Sequence, residues 1–348
     1  MSILFFVVYL LFIGMAMISR DSCKLQLVLY MIGGWVIMFL AFTIDRSNLP
    51  DYSGYLNNFQ SVGDLQIEVS FIFIRYFVQN LFGNEIIVLF IIYALLGGVF
   101  KLVAIRRLTE LSLLSLAIYL SYFFQLHDLI QIRAGVASAC LLLCIKPLYD
   151  RNLRLFLYLT LFAILFHYSA LIILPLWFLN PRKEYRWIYT LIIPVSMIAY
   201  YCGISILSSL KLIPIEHIHM KVEAYEEIST YGNSWSAASD ELNPFRLWHM
   251  FRVVIFYWLL WRLPVIQKYN NYALIMMKIY AIGLSFLWIG ASLSIIGGRI
   301  FELLSIVEIV LWPMIYYTVK PRAIGIVLVT LLGLCNLYYS IYVYEFWL

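Results

Sequence analysis

The chain of 348 residues is 64% apolar and only 12% charged, against roughly 45–50% and about 25% in soluble domains. A water-soluble fold of this length has too few charges to coat its surface, and the mean hydropathy of +0.90 agrees. The formal net charge of +5 is no nucleic-acid signal, and nucleic acid is not expected as a partner.

At roughly 20 residues per spanning helix, the apolar content supports about ten to twelve transmembrane helices in an all-α polytopic integral membrane protein. A transmembrane β-barrel alternates apolar and polar residues over about ten positions. Here the apolar runs are continuous, as at 86–105 and 324–343. Inside lipid such runs must satisfy their own backbone groups, which makes them helices.

The first run, 3–18, lacks a basic n-region and a small-residue cleavage site. It reads as a retained helix, not a signal peptide. Further candidate spans are 25–43, 86–105, 111–124, 130–148, 155–179, 187–210, 247–263, 273–296, 300–319 and 324–343. Residues 1–348 form one transmembrane domain with two longer external loops, near 44–85 and 211–246. The first loop contains an amphipathic stretch, 69–82, interrupted by Arg75. Cys23, Cys140, Cys144, Cys202 and Cys335 are odd in number and include no CxxC pair. They read as small apolar packing residues.

Orientation follows from Lys and Arg in the short connections. Arg20/Lys24, Arg106/Arg107, Arg151/Arg154, Arg182/Lys183/Arg186, Arg262/Lys268 and Lys320/Arg322 all belong inside, which leaves both long loops outside. The acids were not used to orient the chain, and only Asp21, Glu110, Asp150 and Glu184 fall on the inner side. One conflict remains. The clusters at 151–154 and 182–186 flank the single run 155–179 yet both belong inside. That run is either a tilted crossing or a re-entrant hairpin with its tip near His167. Otherwise the second cluster lies outside, or 187–210, broken by Pro194 and Gly203, fails to cross simply.

An ionisable residue within the membrane is costly and faces a cavity or a partner. The densest polar stretch at a helix junction is Gln125 to Arg133, at the outer end of the fourth and fifth spans. Ala134, Gly135, Ala137, Ser138 and Ala139 follow, small enough to admit a neighbouring helix. Arg133 there either presents a fixed cation to phosphate, snorkels to the interface, or pairs with Asp128. His167, halfway along its run, is either a proton carrier or a buried polar link. Arg299 and Glu302 share a helix face, as an interfacial ion pair or as an anion-binding Arg oriented by Glu302. Glu308 reads as structural. Arg246 and Arg252 flank the start of the helix that follows the second loop, as anchors or as phosphate ligands. The loops hold Asp45, Asp51, Tyr52, Tyr55, Asp64 and Glu68, then Tyr225, Glu226, Glu227, Tyr231, Trp235, Asp240 and Glu241. That mixture of rings and carboxylates suits a glycan, and also suits ordinary loop polarity. His217 and His219 make only an H-x-H, a weak metal signal.

Three runs carry a family resemblance: Gln131-Ile-Arg133-Ala-Gly-Val-Ala137, Arg151-Asn-Leu-Arg154, and Phe166-His167-Tyr168-Ser169-Ala170-Leu171 with Leu174-Pro175-Leu176. With Arg299-Ile-Phe-Glu302, Ile309 through Pro313 and Asp51-Tyr52-Ser-Gly-Tyr55, the chain resembles the EpsG-like branch of the O-antigen polymerase (Wzy) family. Ala134 and Gly135 stand where a polar residue is more usual after the Arg. The resemblance implies a multi-pass, GT-C-type glycosyltransferase of the bacterial inner membrane. Such enzymes polymerise undecaprenyl-diphosphate-linked repeat units on the outer side by en bloc transfer. Donor and acceptor lipids, membrane lipids and a chain-length regulator are the implied partners.

The residues are compatible with that chemistry. External Arg side chains can stabilise a departing diphosphate without a metal, and no DxD-like pair occurs in the loops, so no cofactor is expected. Arg133 and Arg299 are the expected diphosphate ligands, with Gln131 orienting and Arg252 and Arg75 in reserve. His167, Asp51 and Glu302 are the candidates for handling the acceptor hydroxyl's proton. A flippase or other transporter and an O-antigen ligase are the alternatives. No symmetry between halves is visible to favour transport.

Overall fold

The protein is described here from a computed structural model covering residues 2–60, 68–203, 243–291 and 294–342. The described residues are helical throughout, with no strand. In chain order the helices are α1 (Ser2–Ile18), α2 (Cys23–Thr43), α3 (Tyr52–Gln60), α4 (Val69–Phe82) and α5 (Ile86–Leu108). Next come α6 (Ser112–Ile118), which runs directly into a π-helix (Tyr119–Ile130), then α7 (Ile132–Asp150), α8 (Leu153–Phe166), a 3₁₀ segment (Tyr168–Phe178) and α9 (Arg186–Tyr201). The last part holds α10 (Leu247–Ile266), α11 (Ala273–Ile289), α12 (Ser294–Ser305), α13 (Glu308–Leu311), a 3₁₀ turn (Trp312–Met314), α14 (Ile315–Thr318) and α15 (Arg322–Tyr342).

Among the described residues, seven helical stretches are long and apolar enough to cross a membrane: α2, α5, α6 with its π-helix, α7, α10, residues 296–318 and α15. Other helices are shorter. Helices α1 and α11 have 17 residues and α9 has 16, and α9 packs along α11. The fold is all-α and polytopic, as the composition requires.

Local signals set the ends. The Ser22 hydroxyl accepts from the Leu25 N–H at the start of α2, and the Asn152 side chain accepts from the Leu155 N–H at the start of α8. Both satisfy donors that the first helical turn leaves open. Arg106 and Arg107 occupy the last turn of α5, at the negative end of its dipole. Arg151 ends α7 in the left-handed conformation, φ 57°.

The run 155–179 is a hairpin. α8 rises to His167, whose extended backbone (φ −157°, ψ 123°) breaks the helix, and the 3₁₀ segment packs back along α8. The Arg151 guanidinium donates to the carbonyls of Trp177 and Leu179, so the two feet meet. Both basic clusters therefore share one side, and the conflict in the charge pattern disappears. Fourteen residues of α8 rise about 21 Å at 1.5 Å each, short of a bilayer core of about 30 Å.

The stretch 69–82 also differs from a simple external loop. As α4 it packs on α5 and α8, with the Ser70 hydroxyl 3.4 Å from the Tyr93 hydroxyl. Tyr93 lies seven residues into α5, roughly 10 Å below its outer end. Phe73, Tyr76, Phe77 and Leu81 of α4 are exposed, an arrangement suited to lipid. Arg75 donates to the Asn58 carbonyl at 2.9 Å and ties α4 to α3.

A wholly buried π-helix sits at the centre. π-Helical turns are rare and concentrate at functional sites. Here the segment carries Asp128, which accepts from Lys101 Nζ at 2.8 Å and from the Tyr119 hydroxyl at 2.6 Å. Asp128 is thus the partner of Lys101, not of Arg133. A Cβ on Gly97 would lie 2.8 Å from the Asp128 carboxylate, so glycine there makes room for the pair.

Candidate functional site

The end of the π-helix folds back onto α7 so closely that a Cβ on Gly135 would stand 2.0 Å from the His127 carbonyl oxygen. Only glycine fits, which accounts for a small residue two places after Arg133. The reversal also fixes the first turn of α7, and Arg133 with it.

Arg133 is sandwiched. Its guanidinium carbon lies 5.3 Å from the Tyr55 ring centre and 5.7 Å from that of Phe71, both cation–π distances. Its Nη1 donates to Glu68 Oε2. Glu68 stands immediately before α4 and is 3% exposed, and its other oxygen, Oε1, lies 3.0 Å from His167 Nδ1. An ionised carboxylate only accepts, so Nδ1 carries the proton. His167 Nε2 then points elsewhere. It is buried and has no hydrogen-bond partner among the described residues. A ring held at Nδ1 by a carboxylate, with Nε2 available, is the arrangement of a general base oriented by an acid.

A second pair adjoins the first. Arg299 Nη2 lies 3.6 Å from Asp51 Oδ2. Asp51 opens α3 at φ 68°, a backbone region uncommon for residues other than glycine, Asn and Asp. Tyr55, one turn into α3, lies within electrostatic reach of Arg133, Asp51 and Arg299 together, and Arg299 also reaches His167. Glu302, half-buried on α12, faces Arg299 and Gln131. The structure therefore gathers Arg133, Arg299, Gln131, His167, Asp51 and Glu302 into one cluster. Arg133 and Arg299 keep 23% and 30% of their side chains exposed, so neither cation is sealed from a ligand.

Two expected ligands are engaged otherwise. Arg252, within electrostatic reach of Glu302, is fully buried, its Nε 3.5 Å from Glu308 Oε1 and its guanidinium over the rings of Tyr122 and Phe301. It anchors α10 to the interior and has no exposed face for phosphate. Arg75 is committed to the joint between α3 and α4. Asp64, His217, His219 and residues 225–241 lie outside the described residues.

Sequence reasoning treated Glu68 only as one loop carboxylate among several, yet it joins the Arg and the His. His127, at the end of the π-helix, adjoins the cluster as well. The Ser138 hydroxyl donates to the Gly135 carbonyl, so its oxygen accepts from His127 Nδ1 at 3.1 Å. His127 Nε2 is buried and has no partner among the described residues, and it lies within electrostatic reach of His167 and Arg299.

The EpsG family matches residues 29–348. The chain belongs to the EpsG family. The match begins inside α2 and takes in every residue of the cluster. EpsG membership suggests a role of polysaccharide-polymerase type in polysaccharide synthesis. No protein of curated function and no solved structure matches this EpsG chain.

Proposed function

We propose that the protein is a glycosyltransferase of the bacterial inner membrane. It joins undecaprenyl-diphosphate-linked oligosaccharide repeat units at the outer side, moving the growing glycan en bloc to the non-reducing end of a new unit. One observation carries this reading. Two partly exposed guanidiniums share a cluster with a histidine whose Nδ1 is held by a carboxylate and whose Nε2 has no partner among the described residues.

The chemistry follows from those positions. An acceptor hydroxyl at His167 Nε2 gives up its proton as its oxygen attacks the anomeric carbon of the donor sugar. The bond from that carbon to the diphosphate oxygen breaks. Charge grows on the departing diphosphate, where Arg133 and Arg299 are fixed in advance to meet it. Glu68 keeps His167 in the required tautomer and Arg133 in place. Asp51 and Glu302 hold Arg299 from two sides, and Gln131 orients Glu302. The products are the lengthened lipid-linked glycan and free undecaprenyl diphosphate.

Deletion of the gene followed by gel analysis of surface glycan tests the class of activity. Collapse of a ladder to a single repeat unit supports polymerisation. Loss of attachment to a lipid core would make the protein a ligase, and accumulation on the inner leaflet would make it a flippase. Arg133→Ala and Arg299→Ala then test the site. Normal long polymer from either variant, folded and at normal abundance, would overturn the assignment of diphosphate to these cations.

A further inference from the structure

A cleft of about 230 Å³ opens far from the cluster, between the inner ends of α5 and α7 and the start of α8. Its walls are the side chains of Leu142, Leu143, Leu155 and Leu159, and its mouth is edged by Arg107 and Lys146. Leu155 is 44% exposed, so the cleft opens toward lipid. Its polar lining residues are Arg107, Lys146, Asp150 and Asn152, and the leucine walls themselves give a water none of the two to four partners it needs. A hydrocarbon chain suits them.

The mouth has its own chemistry. Lys146 is paired with Asp150 at 2.8 Å. Arg107 is exposed and has no carboxylate within salt-bridge distance among the described residues. Asp150 lines the cleft too and offsets Lys146, so Arg107 supplies the net charge, and Asn152, which begins α8, brings the positive end of a 14-residue helix dipole to it. Positive charge over an apolar slot, on the side where Lys and Arg concentrate, is the pattern that takes an anionic headgroup with its acyl chain.

We infer that this cleft binds one anionic phospholipid of the cytoplasmic leaflet. Its phosphate sits between Arg107, Lys146 and the first turn of α8, and one acyl chain lies along the four leucines. The site braces the feet of the hairpin that carries His167 at its tip. The inference does not depend on the reaction proposed above.

The test uses the full-length protein purified in detergent and given phosphatidylglycerol, phosphatidylcholine or inorganic phosphate. Native mass spectrometry should find a single phosphatidylglycerol retained about fivefold better than phosphatidylcholine, as one net near-surface cation would provide. Phosphatidylglycerol should also raise the thermal unfolding temperature, since a ligand of the folded state stabilises it by mass action. Arg107→Glu/Lys146→Glu should abolish both effects, and Lys268→Glu, on the same inner side, should leave them intact. Leu159→Trp, which fills the slot and keeps the charges, should reduce retention about tenfold, the worth of about two acyl CH₂ groups no longer buried. Equal retention of the two lipids would overturn the inference. So would unchanged retention in both cleft variants, or full reproduction of the stabilisation by inorganic phosphate.

Discussion

Glu68 serves two partners at once, which makes its removal distinguishable from the removal of either. His167→Ala takes away the base and should lower polymer synthesis by about 10²–10⁴-fold, the usual worth of general base catalysis. Glu68→Gln keeps an acceptor for His167 Nδ1 but discards the charge facing Arg133, so it should retain more activity than Glu68→Ala. Synthesis of polymer in isolated membranes, normalised to protein abundance, checks that order. A Glu68→Ala protein as active as Glu68→Gln would separate the carboxylate from both roles. Arg133, His167 and Arg299 were legible because an ionisable group inside an apolar run stands out against its surroundings. Glu68 carried no such mark. It lies in a polar stretch where carboxylates are ordinary, and its partners are 65 and 99 positions away. Arg252 misleads for the opposite reason, since an Arg near a helix start looks alike in sequence whether it faces a ligand or Glu308.

At the scale of elements, length alone could not tell a tilted crossing from a hairpin in 155–179. The decision rests on the break at His167 and on Arg151 reaching two carbonyls near the far foot, neither visible in composition. Single cysteines at Arg154 and Lys183 should both react with an impermeant thiol reagent applied to the cytoplasmic face. Labelling of one from each face would make the segment a crossing. The Lys101–Asp128 pair joins α5 to the π-helix in the interior, both side chains being at most 1% exposed. Removing one partner of such a pair costs about 3–5 kcal/mol, because the other charge stays buried alone. Lys101→Met should therefore lower the unfolding temperature markedly in detergent, and Lys101→Met/Asp128→Asn should recover much of the loss. The pair is not legible in the sequence, because its members lie 27 residues apart and the π-winding that carries Asp128 is not written in residue type.

Across the whole molecule, distant parts of the chain are clasped through the centre. Asn336 Nδ2 of α15 donates to the Ser121 hydroxyl at 3.0 Å, and Gln125 Nε2 donates to the Ser340 hydroxyl at 3.1 Å. Hydrogen bonds between helices in a membrane are worth about 0.6 kcal/mol on average and up to about 1.7. Asn336→Leu should accordingly reduce stability by a modest amount, read as a small fall in unfolding temperature with the glycan ladder preserved. A collapse of folding would mean that the clasp does more than its bonds suggest. The all-α class and the family were open to sequence reading, since apolar runs and the Gln131–Leu171 motifs are both local. The meeting of residues from opposite ends of the chain was not, because it depends on packing that no local pattern encodes.

The cluster takes Arg133 from α7 and Arg299 from α12, so its two cations come from different halves of the chain. A ribosome that has delivered the first half of this protein has produced Glu68, Arg133 and His167 but not Arg299. On the proposed reaction, lipid-borne sugars that meet such a nascent chain find half a grip, and transfer begins only after late insertion closes the ring of charges.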